Sequence, residues 1–438
     1  MAAVRGGART WLLACLCVAA CGGDDTSEHA SIPDLDASVV DASHGLLDAT
    51  LPPDATSPAD ATTVAPLGPD GATMASTKPA CVFDRDTIIS VAKNGVSPAD
   101  PLALVVRNEG AALSWVQIDS GKRRLSQGWF SASTSEVVGV PFADVASNQL
   151  EPASTATTTG FLTIWSDDVN GVSNLHSGTM TAAGAQVDPV STALTTDAAS
   201  DDRTAVALGA DGNVLVVWQS QSKGHALLAG PDGKPMGQPT DIPDYGASVG
   251  RPALAKLGTS YILAWVDSSA RRVHVQRLDS KGALSGPSTL IDSEGDAQGK
   301  VDLVTTNTGG AITFDVLVAG QRPEVRFRAF DAAGAPTDTE RVVTQYPDTG
   351  LMPAMVPLRG GFAVAYRSAA TTDLALRMAL LDRFGAVIAS STIAPIYDLN
   401  LAVALRASPD GAHLFLTWVD LPKDTVSYQL QRTWVHCD

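Results

Sequence analysis

The chain has 438 residues, 30 Lys and Arg against 47 Asp and Glu, five Cys and only 5% aromatic residues. The net charge of −17 argues against a nucleic-acid partner, whose phosphates demand a basic footprint. The length alone leaves room for two or three domains.

The charge is unevenly spread. Residues 1–21 carry two Arg and no acid, residues 22–80 ten acids and one Lys, and residues 81–438 carry 37 acids and 27 bases. Residues 1–20 read as a secretory signal peptide. Arg5 and Arg9 form a short basic region, and residues 10–20 are an almost unbroken apolar run. Such a run is too short to span a bilayer, which needs ~20 residues. It ends in Val18-Ala19-Ala20-Cys21, and small residues before a cut fit a cleavage site. An ordinary secretion signal with an incidental Cys is the alternative. The segment resembles the lipobox of bacterial lipoproteins. That resemblance implies diacylation of the Cys21 thiol, cleavage before it, and acylation of the new amino group. Two or more chains give stable membrane anchoring where one is marginal. A lipid-anchored envelope protein is therefore expected. Gly22 stands where an inner-membrane retention signal would place Asp, so the outer membrane is the default and the membrane face stays open.

Residues 21–80 form a linker after the lipidated Cys. It consists largely of Asp, Ala, Thr, Ser and Pro, with no aromatic and no period of 2 or 3.6. Such a segment cannot bury enough apolar surface to offset its ordering entropy and is expected to be disordered. As a flexible coil it would reach about 45 Å end to end. Its Asp spacing matches no calcium loop, and plain solvation accounts for the acids.

After residue 100 one pattern recurs. A glycine turn precedes an alternating apolar strand that ends in an aromatic: Gly110 to Trp115, Gly160 to Trp165, Gly212 to Trp218, Gly258 to Trp265, Gly361 to Tyr366 and Gly411 to Trp418. A fifth copy, Gly309-Gly310 to Phe314, fills the gap, with its aromatic one residue early. Asp315 is the alternative occupant of its aromatic slot. The aromatics are spaced 50, 53, 47, 49, 52 and 52 residues apart, and five of the eight Trp fall in this slot. Further strands flank each copy, and three units share an Asp-x-x-Gly-Ala turn: Asp279 to Gly282, Asp331 to Gly334 and Asp382 to Gly385. Val, Ile, Leu and Thr at period 2 fit strands.

Four short strands per ~50 residues, repeated about seven times, define an all-β fold of four-stranded blades, a β-propeller. Seven blades follow if the fifth copy is whole, and six if it is fused with a neighbour. The aromatics would fill the wedge between blades. The repeat resembles those of bacterial secreted and surface propeller proteins and covers residues 81–438. It is informative about architecture and poor about activity. The last unit lacks a fourth strand, and the lone strand over residues 86–92 is expected to complete it. Cys81 and Cys437 stand at that seam. In an oxidising compartment they are expected to form a disulfide, which a chain-entropy argument values at roughly 5 kcal/mol or a little more.

The catalytic inventory is thin. His176, His225, His274, His413 and His436 have no metal-site spacing. No phosphate loop or dinucleotide fingerprint occurs, and no cofactor or metal site is assigned. Gly246-Ala247-Ser248-Val249-Gly250 fits the nucleophile-elbow pattern but precedes a strand where that motif needs a helix. Ser166, Asp167, Asp168 and Asn170 faintly resemble a calcium loop without its Glu, and read better as a hairpin turn. Ser408-Pro409-Asp410-Gly411 begins like a sialidase turn, yet Trp418 lies too far along. No catalytic residue is assigned. The expected function is a membrane-anchored, non-catalytic module binding a protein or glycan at the propeller face. The alternative is a glycan-active hydrolase or lyase, which would show acids converging with a His, Tyr or Arg at the channel mouth.

Overall fold

Alternation along each strand decides how these segments pair and stack. In Gly160–Val169, Leu162 and Ile164 face one neighbouring sheet, while Phe161 and Trp165 face the other. Both faces are apolar because both are covered, which one isolated sheet could not achieve. The computed structural model describes residues 81–437 except 84–87, 93–94, 108–109, 131–139, 142–146, 188–190, 197–198, 293–295, 307, 319–321, 346, 370–372 and 424. The signal peptide, the lipidation site Cys21 and the linker over 21–80 lie outside the described residues.

The strands form seven antiparallel sheets, the blades of a seven-bladed β-propeller. Blade 1 starts at Ala103–Arg107, blade 2 at Asn148–Ala156 and blade 3 at Asp201–Leu208. Blades 4 to 7 start at Ser248–Leu257, Asp296–Thr306, Leu351–Leu358 and Val403–Ala407. In blades 1 to 6 the other three strands follow outward in chain order.

The repeated aromatics fill the seams. Trp115, Trp165, Trp218, Trp265 and Trp418 are each at most 2% exposed. Each packs toward the preceding blade, as Trp265 does with Leu215 and Val217 of blade 3. The fifth copy is a complete blade, so the six-bladed alternative falls away. Its slot is filled by Phe314 rather than Asp315. Phe314 lies opposite Arg326 as Trp265 lies opposite His274, and it packs with Ile262 and Ala264 of blade 4. Counted from Gly309, the first glycine of the pair, its spacing matches Gly160 to Trp165. Asp315 consequently faces the other way, toward blade 6.

The Asp-x-x-Gly turns also serve the seams. In blade 6, Asp382 Oδ1 accepts the N–H groups of Phe384 and Ala386 at 2.8 and 2.9 Å. Gly385 sits at φ +80°, and a Cβ there would lie 2.2 Å from the Phe327 ring of blade 5. The turn thus needs glycine for its backbone and for its close approach to the preceding sheet.

The ring closes in blade 7 with chain from both ends. Its outer edge comes in two pieces, Cys81–Phe83 and Ile89–Ala92, both paired to Gln429–Cys437. The single closing strand expected from the sequence is therefore only half of the edge. Cys81 pairs directly with Cys437, and a disulfide joins them across a sequence separation of 356 residues.

Candidate functional site

The seven innermost strands surround a central channel. Their far ends line a cavity of about 1090 Å³, and their beginnings line one of about 620 Å³. Leu104, Val206, Leu254 and Leu303 border both, with Ser154 and Arg406, so the two cavities are parts of one channel whose shared wall is largely aliphatic.

The mouth at the strand beginnings is built differently. The first strands of blades 2 to 6 each carry a bulge there, between Leu150 and Ala153, Asp202 and Ala205, Val249 and Ala253, Ala297 and Val301, and Leu351 and Ala354. Each bulge contains a residue with left-handed backbone: Glu151, Arg203, Gly250, Gly299 and Met352, at φ of 50°, 54°, 68°, 110° and 55°. Three of the five are not glycine, and such strained conformations persist only where surrounding contacts hold them.

Those contacts are carboxylates. Asp100 Oδ1 accepts the Glu151 N–H at 3.0 Å, and Glu151 Oε2 accepts the Arg203 N–H at 2.5 Å. Asp315 accepts the Lys300 N–H at 3.2 Å and the Met352 N–H at 3.1 Å. Asp302 accepts the N–H groups of Leu303 at 3.0 Å and Met355 at 2.9 Å. The four carboxylates lining this mouth therefore each hold backbone, in most cases backbone of the next blade. Burial pushes the Asp315 carboxyl up to about 6. Asp202, behind the rim, is also raised to about 6, by burial first and then by the charge of Glu151.

The cations are used differently. Arg203 Nη1 donates to Gln219 Oε1 and to the Ser248 carbonyl, so it belongs to the framework. Arg406 meets Asp302 at 3.5 Å. Arg251 donates through Nη2 to the carbonyls of Thr204 and Glu151, at 2.5 and 3.3 Å, while its buried Nε has no hydrogen-bond partner. Lys300 has no ion pair among the described residues. Burial lowers the pKa of both Arg251 and Lys300. Both lie deep in the mouth yet keep partial solvent contact through the channel.

The residues singled out in the sequence fall elsewhere. Cys81 and Cys437 lie on the seam of blade 7, and Cys21 is outside the described residues. Ser248 opens a strand, buried, with its Oγ 3.1 Å from Tyr245 Oη and 3.0 Å from Gln219 Oε1. Among the described residues no His is hydrogen-bonded to it, and the nucleophile-elbow pattern is a strand start. Ser166, Asp167, Asp168 and Asn170 belong to a hairpin: Asp168 Oδ1 caps the Gly171 N–H at 2.8 Å, while Ser166 Oγ turns away to the Asp201 carbonyl at 2.6 Å. Of the described histidines, His413 and His436 face each other across two strands of blade 7, ring centroids 5.1 Å apart, and the other three lie in separate blades. His225 and His274 stack on Trp218 and Trp265 of their own blades, and His176 lies beside Trp165. Among the described residues no three His, Cys, Asp or Glu are grouped to hold a metal. Ser408 and Asp410 knit a turn, with Asp410 accepting the Ala412 N–H at 3.0 Å.

The residues that do converge, Asp100, Glu151, Arg251, Lys300, Asp302 and Asp315, went unnoticed in the sequence apart from Asp315. One signal was present: a charged or Gly-plus-charged residue just before the apolar run of several first strands, as in Glu151-Pro152, Gly250-Arg251 and Gly299-Lys300.

No protein-family model matches the chain, and no curated protein matches it. Among solved structures it is similar to the WD40 domain of Toxoplasma gondii coronin, at 10% identity over 82% of this chain and 86% of that one, with a TM-score of 0.49. It is similar to virginiamycin B lyase from Staphylococcus aureus, at 10% identity over 80% and 99%, with a TM-score of 0.46. It is also similar to a GH43 endo-arabinanase from Bacillus licheniformis, at 14% identity over 57% and 99%, with a TM-score of 0.36. At these scores the likenesses carry no argument, and the fold rests on the seven sheets themselves.

Proposed function

We propose that the protein is a lipoprotein of the cell envelope, anchored in the outer membrane through acyl chains on Cys21. Its propeller is a non-catalytic binding module that takes its ligand at the bulge-rimmed channel mouth. The observation that carries the reading is the use of the acids: Asp100, Glu151, Asp302 and Asp315 each hold backbone N–H groups. General acid–base chemistry needs a carboxyl within reach of the substrate proton and free to exchange it. Here the acids shape the mouth, and cations remain to meet a ligand.

A glycan-active enzyme is the second reading, and one observation favours it. Asp315 is held at about 6, in the range of a general acid, at a mouth that also holds Lys300 and Arg251. The full chain, incubated with a panel of oligosaccharides, separates the two. Ligand binding by calorimetry without product release supports the binding module. Product release that Asp315→Asn abolishes makes the protein an enzyme. The anchor is tested by palmitate labelling: label on the wild type and none on Cys21→Ser is expected, and label on both removes Cys21 as the site.

A further inference from the structure

Two cations in this mouth, Arg251 and Lys300, stand among its acids without a direct ion pair to any of them among the described residues. Arg251 is locked in place by backbone carbonyls of blades 2 and 3, and its Nε, directed to no acceptor, is buried. Lys300 is the residue next to Gly299 in the adjoining bulge, and the two bulges touch: a Cβ on Gly250 would lie 2.1 Å from the Gly299 carbonyl oxygen. Arg251 and Lys300 are therefore flanking residues of two bulges in backbone contact, lining one cavity. They repel one another, and the charges of Asp302 and Asp315 act on Lys300, and those of Glu151 and Asp100 on Arg251, without a close ion pair like the one Asp302 makes with Arg406.

We infer that Arg251 and Lys300 form an anion site for a small organic carboxylate whose apolar or neutral body enters the aliphatic channel. The inference rests on the binding-module reading and names the ligand class of that same mouth. Three features select a carboxylate. The partly exposed Arg251 guanidinium and Lys300 side chain line the same mouth and together offer charge-assisted donors to the two oxygens of a carboxylate. The rim acids Glu151, Asp302 and Asp315 surround the pair, so a doubly charged phosphate would meet repulsion that a monoanion largely avoids. Leu104, Val206, Leu254 and Leu303 line the channel as well and offer apolar contact to the body of such a ligand.

The test is calorimetry on the full chain with sodium benzoate, sodium glucuronate, glucose and inorganic phosphate as probes. At least one carboxylate should bind tenfold or more tightly than glucose and phosphate. Lys300→Met should weaken that binding about tenfold or more, and Lys300→Arg should restore most of it. Unchanged unfolding curves for both variants show that the fold is retained. Carboxylates binding no better than glucose, or unaffected binding by Lys300→Met, would overturn the anion site while leaving the binding module standing. Turnover of an oligosaccharide would overturn the module and leave the carboxylate preference intact. Failure of all four probes to bind overturns the anion site.

Discussion

Asp315 of blade 5 accepts the backbone N–H of Met352 across the seam to blade 6, at 3.1 Å. Met352 is the left-handed residue of its bulge, at φ 55°. One carboxylate thus pins the strained backbone of the neighbouring sheet. Asp100 and Glu151 do the same around the other side of the ring.

This arrangement makes stability depend on pH in a definite direction. The Asp315 carboxyl titrates near 6 in the folded chain and near 4 when unfolded. Between those values the folded state binds more protons, so stability falls as pH rises from about 4 to about 6. The loss attributable to Asp315 is about 3 kcal/mol and is complete above the folded value. Asp202 acts in the same direction. Urea unfolding of the wild type should show this decline, and Asp315→Asn should flatten part of it. Parallel profiles for the two proteins would contradict the assignment.

Arg367 ties blade 6 to blade 7. It is fully buried, and its guanidinium donates to the carbonyls of Leu401 and Asp398 at 2.7 Å each, to Ala402 at 3.3 Å, and to Val419. Burial lowers its pKa to about 10, so it stays charged near neutrality. Arg367→Leu removes these donors, while the Ala402 carbonyl keeps the Val419 N–H, and should cost about 3–5 kcal/mol in chemical denaturation. A loss under about 1 kcal/mol would mean that water replaces the guanidinium.

Two glycines separate backbone strain from steric contact. Gly258, at φ +62°, has nothing within 4 Å of where a Cβ would stand, whereas Gly250, at φ +68°, has the Gly299 carbonyl 2.1 Å from that point. Gly258→Ala should cost about 1 kcal/mol for its left-handed backbone alone. Gly250→Ala should cost at least about 2 kcal/mol more, because two bulges must move apart. Equal melting temperatures would remove the bulge contact from the account.

Reduction should act on the whole ring. The Cys81–Cys437 bond closes nearly the entire folded chain, and the chain-entropy relation values such a loop at about 6 kcal/mol, less any strain. Reductant should lower the melting temperature of the wild type and leave a Cys81→Ser/Cys437→Ser variant unchanged. That variant should already melt where the reduced wild type does.

The blades were legible because a wedge between sheets needs a bulky side chain at a fixed place. Trp115, Trp165, Trp218, Trp265 and Trp418 carry that requirement openly in the spacing. The fifth blade was harder to read because Gly309-Gly310 offers two origins for the count, and only the pairing of Phe314 with Arg326 chooses between them. The mouth was barely legible. Apart from Asp100, its members come from three different first strands and, in Asp315, from a second strand, and each looks locally like an isolated surface charge. Arg367, too, stands after Tyr366 where other blades carry Ser166 or Gln219, and nothing in the alternation marks it as buried.

The two-piece outer edge of blade 7 also decides how the disc bears mechanical load. Any pull on the chain preceding Cys81 reaches the propeller at the three-residue strand Cys81–Phe83. A strand that short, tugged from its end, would peel away one bond after another. The disulfide instead passes the force to Cys437, on a strand paired along both of its sides. A grip of this kind keeps the ring shut under tension, and a reducing agent would turn it into a zipper.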